Sequence, residues 1–235
     1  MTAIWKRELQ SYFYTATGWV YMGVFLLVSS VMFFLQILQE RSSDLLTFIG
    51  QMSYLWMLLC PVLTMRLLAE ERQKRTDQLL FTSPVSLPGV VLGKYLAAIT
   101  VMAATVLLTF GYVLVVAMYG QVYPGELLVG YLGFLLQGFA FTAIDMYISS
   151  LTASPVTAAV LSMGANLCLW VADMLASSVP EWIGDALTFI SLYSRNEPFL
   201  MGQLSFASVG FDLSVVAACL VLAIHALDSR RYKGA

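Results

Sequence analysis

The sequence predicts an all-α membrane protein with six transmembrane helices, and three observations carry that prediction. First, 60% of the 235 residues are hydrophobic and only 11% are charged, with a mean hydropathy of +0.81. A soluble domain has roughly 45–50% and about 25%. Second, six runs reach the roughly 20 apolar residues that a bilayer crossing needs. Third, the basic residues are distributed on one side of those runs. Together these exclude a soluble enzyme, a disulfide-stapled secreted module and a disordered tail. The net charge of −2 leaves no basic footprint for nucleic acid.

Residues 3–16 read as an amphipathic interfacial helix. Trp5, Leu9, Tyr12 and Phe13 recur at helical spacing, with Lys6, Arg7 and Gln10 mostly elsewhere. Such a helix suits the headgroup plane, with its aromatics at the polar–apolar boundary. The first span, about 18–38, is too long for a signal-peptide core. It is followed by Gln39-Glu40-Arg41 rather than a small-residue cleavage site, so its retention is expected. The remaining spans read approximately as 48–68, 91–118, 127–150, 156–176 and 207–227. The third is longer than a crossing requires, which permits tilt or an extension outside the bilayer. Between spans five and six, Glu181 to Leu192 reads as an amphipathic helix too short to cross. Its apolar side is Trp182, Ile183, Ala186, Leu187 and Ile190, with Glu181, Asp185 and Thr188 elsewhere. The whole chain, 1–235, reads as a single transmembrane domain without internal repeats. The lack of matched halves argues against an inverted-repeat carrier.

With both termini cytoplasmic, ten of the twelve basic residues lie inside: Lys6, Arg7, Arg66, Arg72, Lys74, Arg75, Lys94, Arg230, Arg231 and Lys233. Only Arg41 and Arg195 lie outside. The positive-inside rule then sets the orientation.

No catalytic motif is found. Gly89 to Tyr95 has one residue too few between its glycines for a phosphate loop, and Tyr95 stands where Ser or Thr should hold magnesium. One histidine, His225, cannot build a multi-histidine metal site; it reads as a packing or snorkelling residue. Cys60, Cys168 and Cys219 are dispersed in apolar runs and read as small packing residues. No base for a serine nucleophile is recognisable.

The informative stretch is the inner loop between spans two and three. Glu70, Glu71 and Arg72 read as a charged continuation of span two. Thr76 is an N-cap candidate with Asp77 in the first turn, Gln78 follows, and Leu79, Leu80 and Phe81 form a short apolar run ended by Ser83-Pro84. Two readings remain open: a loop lying on the membrane, or a leucine-bearing helix that docks into a partner's groove.

Ionisable residues inside spans are costly and count as site candidates. Asp145 lies about one and a half turns from the inner end of span four. Asp173 is near the outer end of span five and Asp212 near the outer start of span six. Those two also read as interfacial acids within reach of water. Asn166 is mid-span and suited to bond across helices. Arg66 and, as second choice, Lys94 stand at the same inner level as Asp145, so an Asp145–Arg66 pair is expected. Pro61 marks either a kink in span two or a proline the membrane helix tolerates.

Several strings, in order, resemble a known family. They are Trp5-Lys6-Arg7-Glu8-Leu9 with Tyr12-Phe13, Leu63-Thr64-Met65-Arg66, Glu70-Glu71-Arg72, and Thr76 with Leu79-Leu80. Thr82-Ser83-Pro84-Val85-Ser86, Gly93-Lys94, Ser149-Ser150-Leu151-Thr152, and Phe199, Gly202 and Leu227-Asp228-Ser229-Arg230-Arg231-Tyr232 follow. Over nearly the whole chain this is similar to type-2 ABC transporter permeases, most closely the gliding-motility and copper-site-maturation branch. The sequence departs from that pattern at Arg75, Gln78, Asp145 and Asp212.

The resemblance implies a non-catalytic permease subunit of the bacterial inner membrane. It would pair with a second copy or a homologous permease. Two cytoplasmic ATPase subunits would carry ATP and Mg, so no cofactor belongs to this chain. Residues 70–72 and 76–81 would couple to the ATPase, export or extraction would be the direction, and the outer 177–206 segment would be re-entrant or interfacial. An ion-coupled carrier using Asp145 and Asp212, or a non-transporting membrane scaffold, are the alternatives.

Overall fold

The computed structural model describes residues 2–40, 42–74, 86–176 and 178–233. Among the described residues the fold is all-α, and six helices are long and apolar enough to cross a membrane. In chain order the helices are α1 (Thr2–Tyr14), α2 (Ala16–Phe33, continued by a π-helical turn Phe34–Gln39), α3 (Leu45–Thr64), α4 (Ala69–Gln73) and α5 (Leu87–Tyr119). They continue with α6 (Pro124–Leu151), α7 (Pro155–Ala176), α8 (Glu181–Ile190), α9 (Leu192–Leu200) and α10 (Phe206–Lys233). The end carrying α1 and α4 is called basal here, and the opposite end distal.

Local chemistry explains most boundaries. Asp44 caps α3 by accepting from the Thr47 amide at 3.1 Å. Proline opens α6 and α7, where its missing N–H costs nothing. The distal turn after α9 uses Gly202 at φ +71°, a left-handed conformation that glycine adopts without strain.

The bundle is organised around α6, which packs against α3, α7, α9 and α10. An aromatic stack of Phe25, Trp56 and Phe134 ties α2 and α3 to it, and the Trp56 indole donates to the Phe134 carbonyl at 3.0 Å. This satisfies the one polar atom of the largest fully buried side chain.

One sequence expectation about the elements needs correction. The helix of span two does not continue into Glu70-Glu71-Arg72: it stops at Thr64, turns over 65–68, and restarts as α4. Side chains hold the break open. The Met65 carbonyl accepts from Ser149, the Leu67 carbonyl accepts from Lys94, and the Ala69 amide donates to Ser149. The amphipathic helix expected over 3–16 is α1, which packs along α5, with the Trp5 indole donating to Thr100 at 3.1 Å. Its inward face includes Trp5, Glu8, Leu9 and Tyr12, whereas Phe13 is exposed. The short helix expected over Glu181 to Leu192 is α8, Glu181–Ile190, and a second helix that the sequence did not predict, α9, follows it across Ser191. That serine caps α9 by accepting from the amides of Tyr193 and Ser194, which breaks the helix there.

Candidate functional site

The polar residues singled out by the sequence gather at three levels along α6. At the basal level, α4 is gripped by charges from several directions. Lys94, on the second turn of α5, is only 2% exposed. Its Nζ lies 2.8 Å from Glu71 of α4 and 3.3 Å from Glu8 of α1, and donates to the Leu67 carbonyl at 2.7 Å. A buried ammonium requires this full set of partners. Arg66 forks onto Glu70, with Nε 2.6 Å and Nη2 3.1 Å from its two oxygens, and also donates to the Thr17 hydroxyl. Lys74 reaches Glu70 at 2.7 Å, and Arg72 donates to the Leu151 carbonyl at the end of α6 at 3.2 Å. Tyr12 donates to the Leu63 carbonyl at 2.8 Å. Burial, reinforced by the Glu8 carboxylate, pushes the Tyr12 hydroxyl well above its usual range, so it stays a donor. Thus α1, α5, α6 and the turn after α3 all hold the short helix that precedes residues 75–85.

Thr76, Asp77, Gln78, Leu79, Leu80 and Phe81 lie outside the described residues. Glu70, Glu71 and Arg72 do come together with Arg66 and Lys94. The expected Asp145–Arg66 pair, and its Lys94 alternative, are overturned. The turn after Thr64 directs Arg66 to Glu70 and Thr17, while Lys94 is taken up by Glu8, Glu71 and Leu67.

At the middle level Asp145 is fully buried, and its bonded partner is Asn166 of α7 at 3.0 Å. The same amide donates to the Met57 carbonyl at 3.4 Å. Met57 is four residues before Pro61, which has no N–H to give it, so the freed acceptor is supplied from α7 instead. Asn166 therefore bonds across helices, joining α7 to α3 and α6.

At the distal level α9 folds back alongside α6. Asn196 donates to Gln137 at 3.0 Å, Tyr193 lies against Phe141, and Phe199 sits over Gly133. A Cβ at Gly133 would lie 2.5 Å from the Phe199 Cβ and 2.6 Å from the Asn196 Oδ1, so only glycine admits α9 this close. Asp173 accepts hydroxyl bonds from Ser191 and Ser194, fixing the α8–α9 corner to α7. The Arg195 guanidinium lies 4.8 Å from the Phe189 ring centre and 5.1 Å from that of Phe211. Asp212, next in sequence to Phe211, is buried, and its Oδ1 has no hydrogen-bond donor among the described residues.

Sequence reasoning missed Glu8, Thr17, Ser149 and helix α9. For Glu8 a signal existed: it shares the spacing of Trp5, Leu9 and Tyr12, and an acid on an apolar face calls for a buried cation. Among the described residues no cluster of His, Cys, Asp or Glu could hold a metal ion.

A family model described as "ABC-2 family transporter protein" matches residues 3–227. No curated protein matches the chain.

Proposed function

This chain belongs to the ABC-2 family of transporter proteins, and on that premise we propose that it converts ATP hydrolysis on partner ATPase subunits into movement of its helices through α4 and residues 75–85. It is a multi-pass membrane permease subunit of an ABC transporter. The observation that carries the coupling proposal is the ionic grip on α4. A push delivered to the segment just after it reaches α1 through Lys94 and Glu8, α5 through Lys94, and α6 through Ser149 and Arg72. Leu79 and Leu80 supply the apolar contact with the ATPase, and Glu70, Glu71, Arg72, Thr76, Asp77, Gln78 and Phe81 frame it.

In this reading ATP and Mg reside on the ATPase subunits. The basal end faces the cytoplasm of a bacterial cell from its inner membrane, in keeping with the basic bias of the sequence. The permease works with a second copy or a homologous permease, exports or extracts its substrate, and sits in the gliding-motility and copper-site-maturation branch.

The experiment is co-purification of the ATPase with full-length permease carrying Leu79→Asp or Leu80→Asp, together with substrate-stimulated ATP hydrolysis. A charge in an apolar groove costs on the order of a few kcal/mol, so both variants should insert normally but lose the ATPase. Unchanged binding and hydrolysis in both would reduce 75–85 to a membrane-surface loop. Retained binding with no substrate-linked hydrolysis in the wild type would make the chain a scaffold.

A further inference from the structure

The hydrogen bonds around Asp145 leave a mismatch that the coupling path does not use. The Asn166 Nδ2 donates to Asp145 Oδ1 at 3.0 Å and to the Met57 carbonyl at 3.4 Å. Both residues are fully buried, yet Asp145 Oδ2 and Asn166 Oδ1 have no donor among the described residues. An ionised carboxylate and an amide oxygen are both acceptors only, so neither can serve the other. Among the described residues the neighbours supply no cation. From α3 the facing titratable group is the Cys60 thiol, and from α10 it is the Cys219 thiol. On α5, Tyr95 is committed to the Phe139 carbonyl at 2.9 Å, and on α9, Tyr193 lies against Phe141, one turn away. The charges of α4 are engaged at the basal end, as are Arg66 and Lys94.

We propose that one proton binds between Asp145 and Asn166, joining them as a neutral acid–amide pair. Asp145 Oδ2–H donates to Asn166 Oδ1 while Asn166 Nδ2–H donates to Asp145 Oδ1. A single proton then satisfies both leftover oxygens and removes a charge whose burial without a partner is costly. Two oxygens are too few for a bound alkali or alkaline-earth ion, which takes about six or more. The pair closes α6 on α7 and, through the carbonyl freed by Pro61, holds α3 as well. The proton is bound in the described state, and its departure leaves two facing acceptors that push α6 and α7 apart. Proton release therefore accompanies any opening of this joint to water.

The test is infrared spectroscopy of the full-length, lipid-embedded permease, paired with melting curves against pH. A protonated-carboxyl absorption should be present at neutral pH and disappear in Asp145→Asn. That variant keeps an amide able to donate to Asn166, so it should melt near the wild-type temperature with its pH dependence gone, while Asp145→Ala should melt several degrees lower. The wild-type melting temperature should fall as pH rises through the release step. Absence of the absorption in the wild type overturns the proposal, and so does a loss in Asp145→Asn equal to that in Asp145→Ala. A melting temperature that follows sodium concentration at fixed pH would assign the site to a cation instead. Should Asp145→Ala fail to fold, the wild-type spectrum and wild-type pH curve decide alone.

Discussion

The two ends of the bundle fasten a short helix by opposite means. Basal α4 is held by long charged side chains that meet at a distance: Lys94 with Glu8 and Glu71, Arg66 with Glu70, and Arg72 with the Leu151 carbonyl. Distal α9 is held by close approach, its Phe199 and Asn196 seated where Gly133 has no side chain. Long side chains follow a moving helix through rotamer changes, whereas a glycine contact is either made or broken. The difference fits the proposed coupling: a charged grip tolerates displacement of α4, and a close-packed seat does not tolerate displacement of α9.

Replacing Lys94 with methionine should break the basal end most severely. It removes the buried cation between Glu8 and Glu71 and leaves only the exposed Arg7, 3.3 Å from Glu8 and 3.8 Å from Glu71, and stripping one partner from a buried ionic cluster costs about 3–5 kcal/mol. Thermal denaturation reads the loss, and Glu8→Gln in the same chain should recover part of it, because the facing carboxylates are then fewer. Strict additivity of the two changes would break the comparison at its charged end.

Gly133→Ala tests the distal end. The new methyl meets Phe199 and Asn196 head-on, and overpacking of this kind costs about 1–3 kcal/mol. Unlike the change at Lys94, it should leave attachment of the ATPase intact. Equal loss of attachment in both variants would show that the two ends are not mechanically distinct.

Smaller effects sharpen the contrast. Tyr12→Phe deletes the 2.8 Å bond to the Leu63 carbonyl and leaves a buried acceptor unserved, for about 1–2 kcal/mol. Because burial keeps that hydroxyl protonated, the difference from wild type should be flat across neutral pH. Lys74→Gln should cost least, about 0.5 kcal/mol or less, and vanish in high salt, since Lys74 is largely exposed and its bond to Glu70 is screened. A salt-independent loss there would extend the buried network further than the geometry of Lys94 and Arg66 indicates.

Much of this architecture was legible beforehand. Apolar run length predicted six crossing helices, and the six long apolar helices match that number. Asn166 was expected to bond across helices, and it does. The charged cluster at Glu70-Glu71-Arg72 was singled out as part of a continuous helix, whereas it forms the separate α4. Illegible were the partners. Glu8 and Lys94 are 86 positions apart, and nothing local in either stretch specifies the other. The Asp145–Arg66 pairing failed for a related reason: level along the membrane normal can be counted from the sequence, but rotation about the helix axis after a turn cannot.

The sequence by itself determined that the chain is a multi-pass membrane protein and how many helices are long and apolar enough to cross. These are sums over residues, and transfer free energy adds along a chain without regard to fold. Only the tertiary structure decided that span two breaks at 65–68, that α9 folds back onto Gly133, and that Lys94 takes Glu8 and Glu71 rather than Asp145. Each is a contest among distant groups for a limited number of donors and acceptors, settled by which of them the packing brings within about 3 Å.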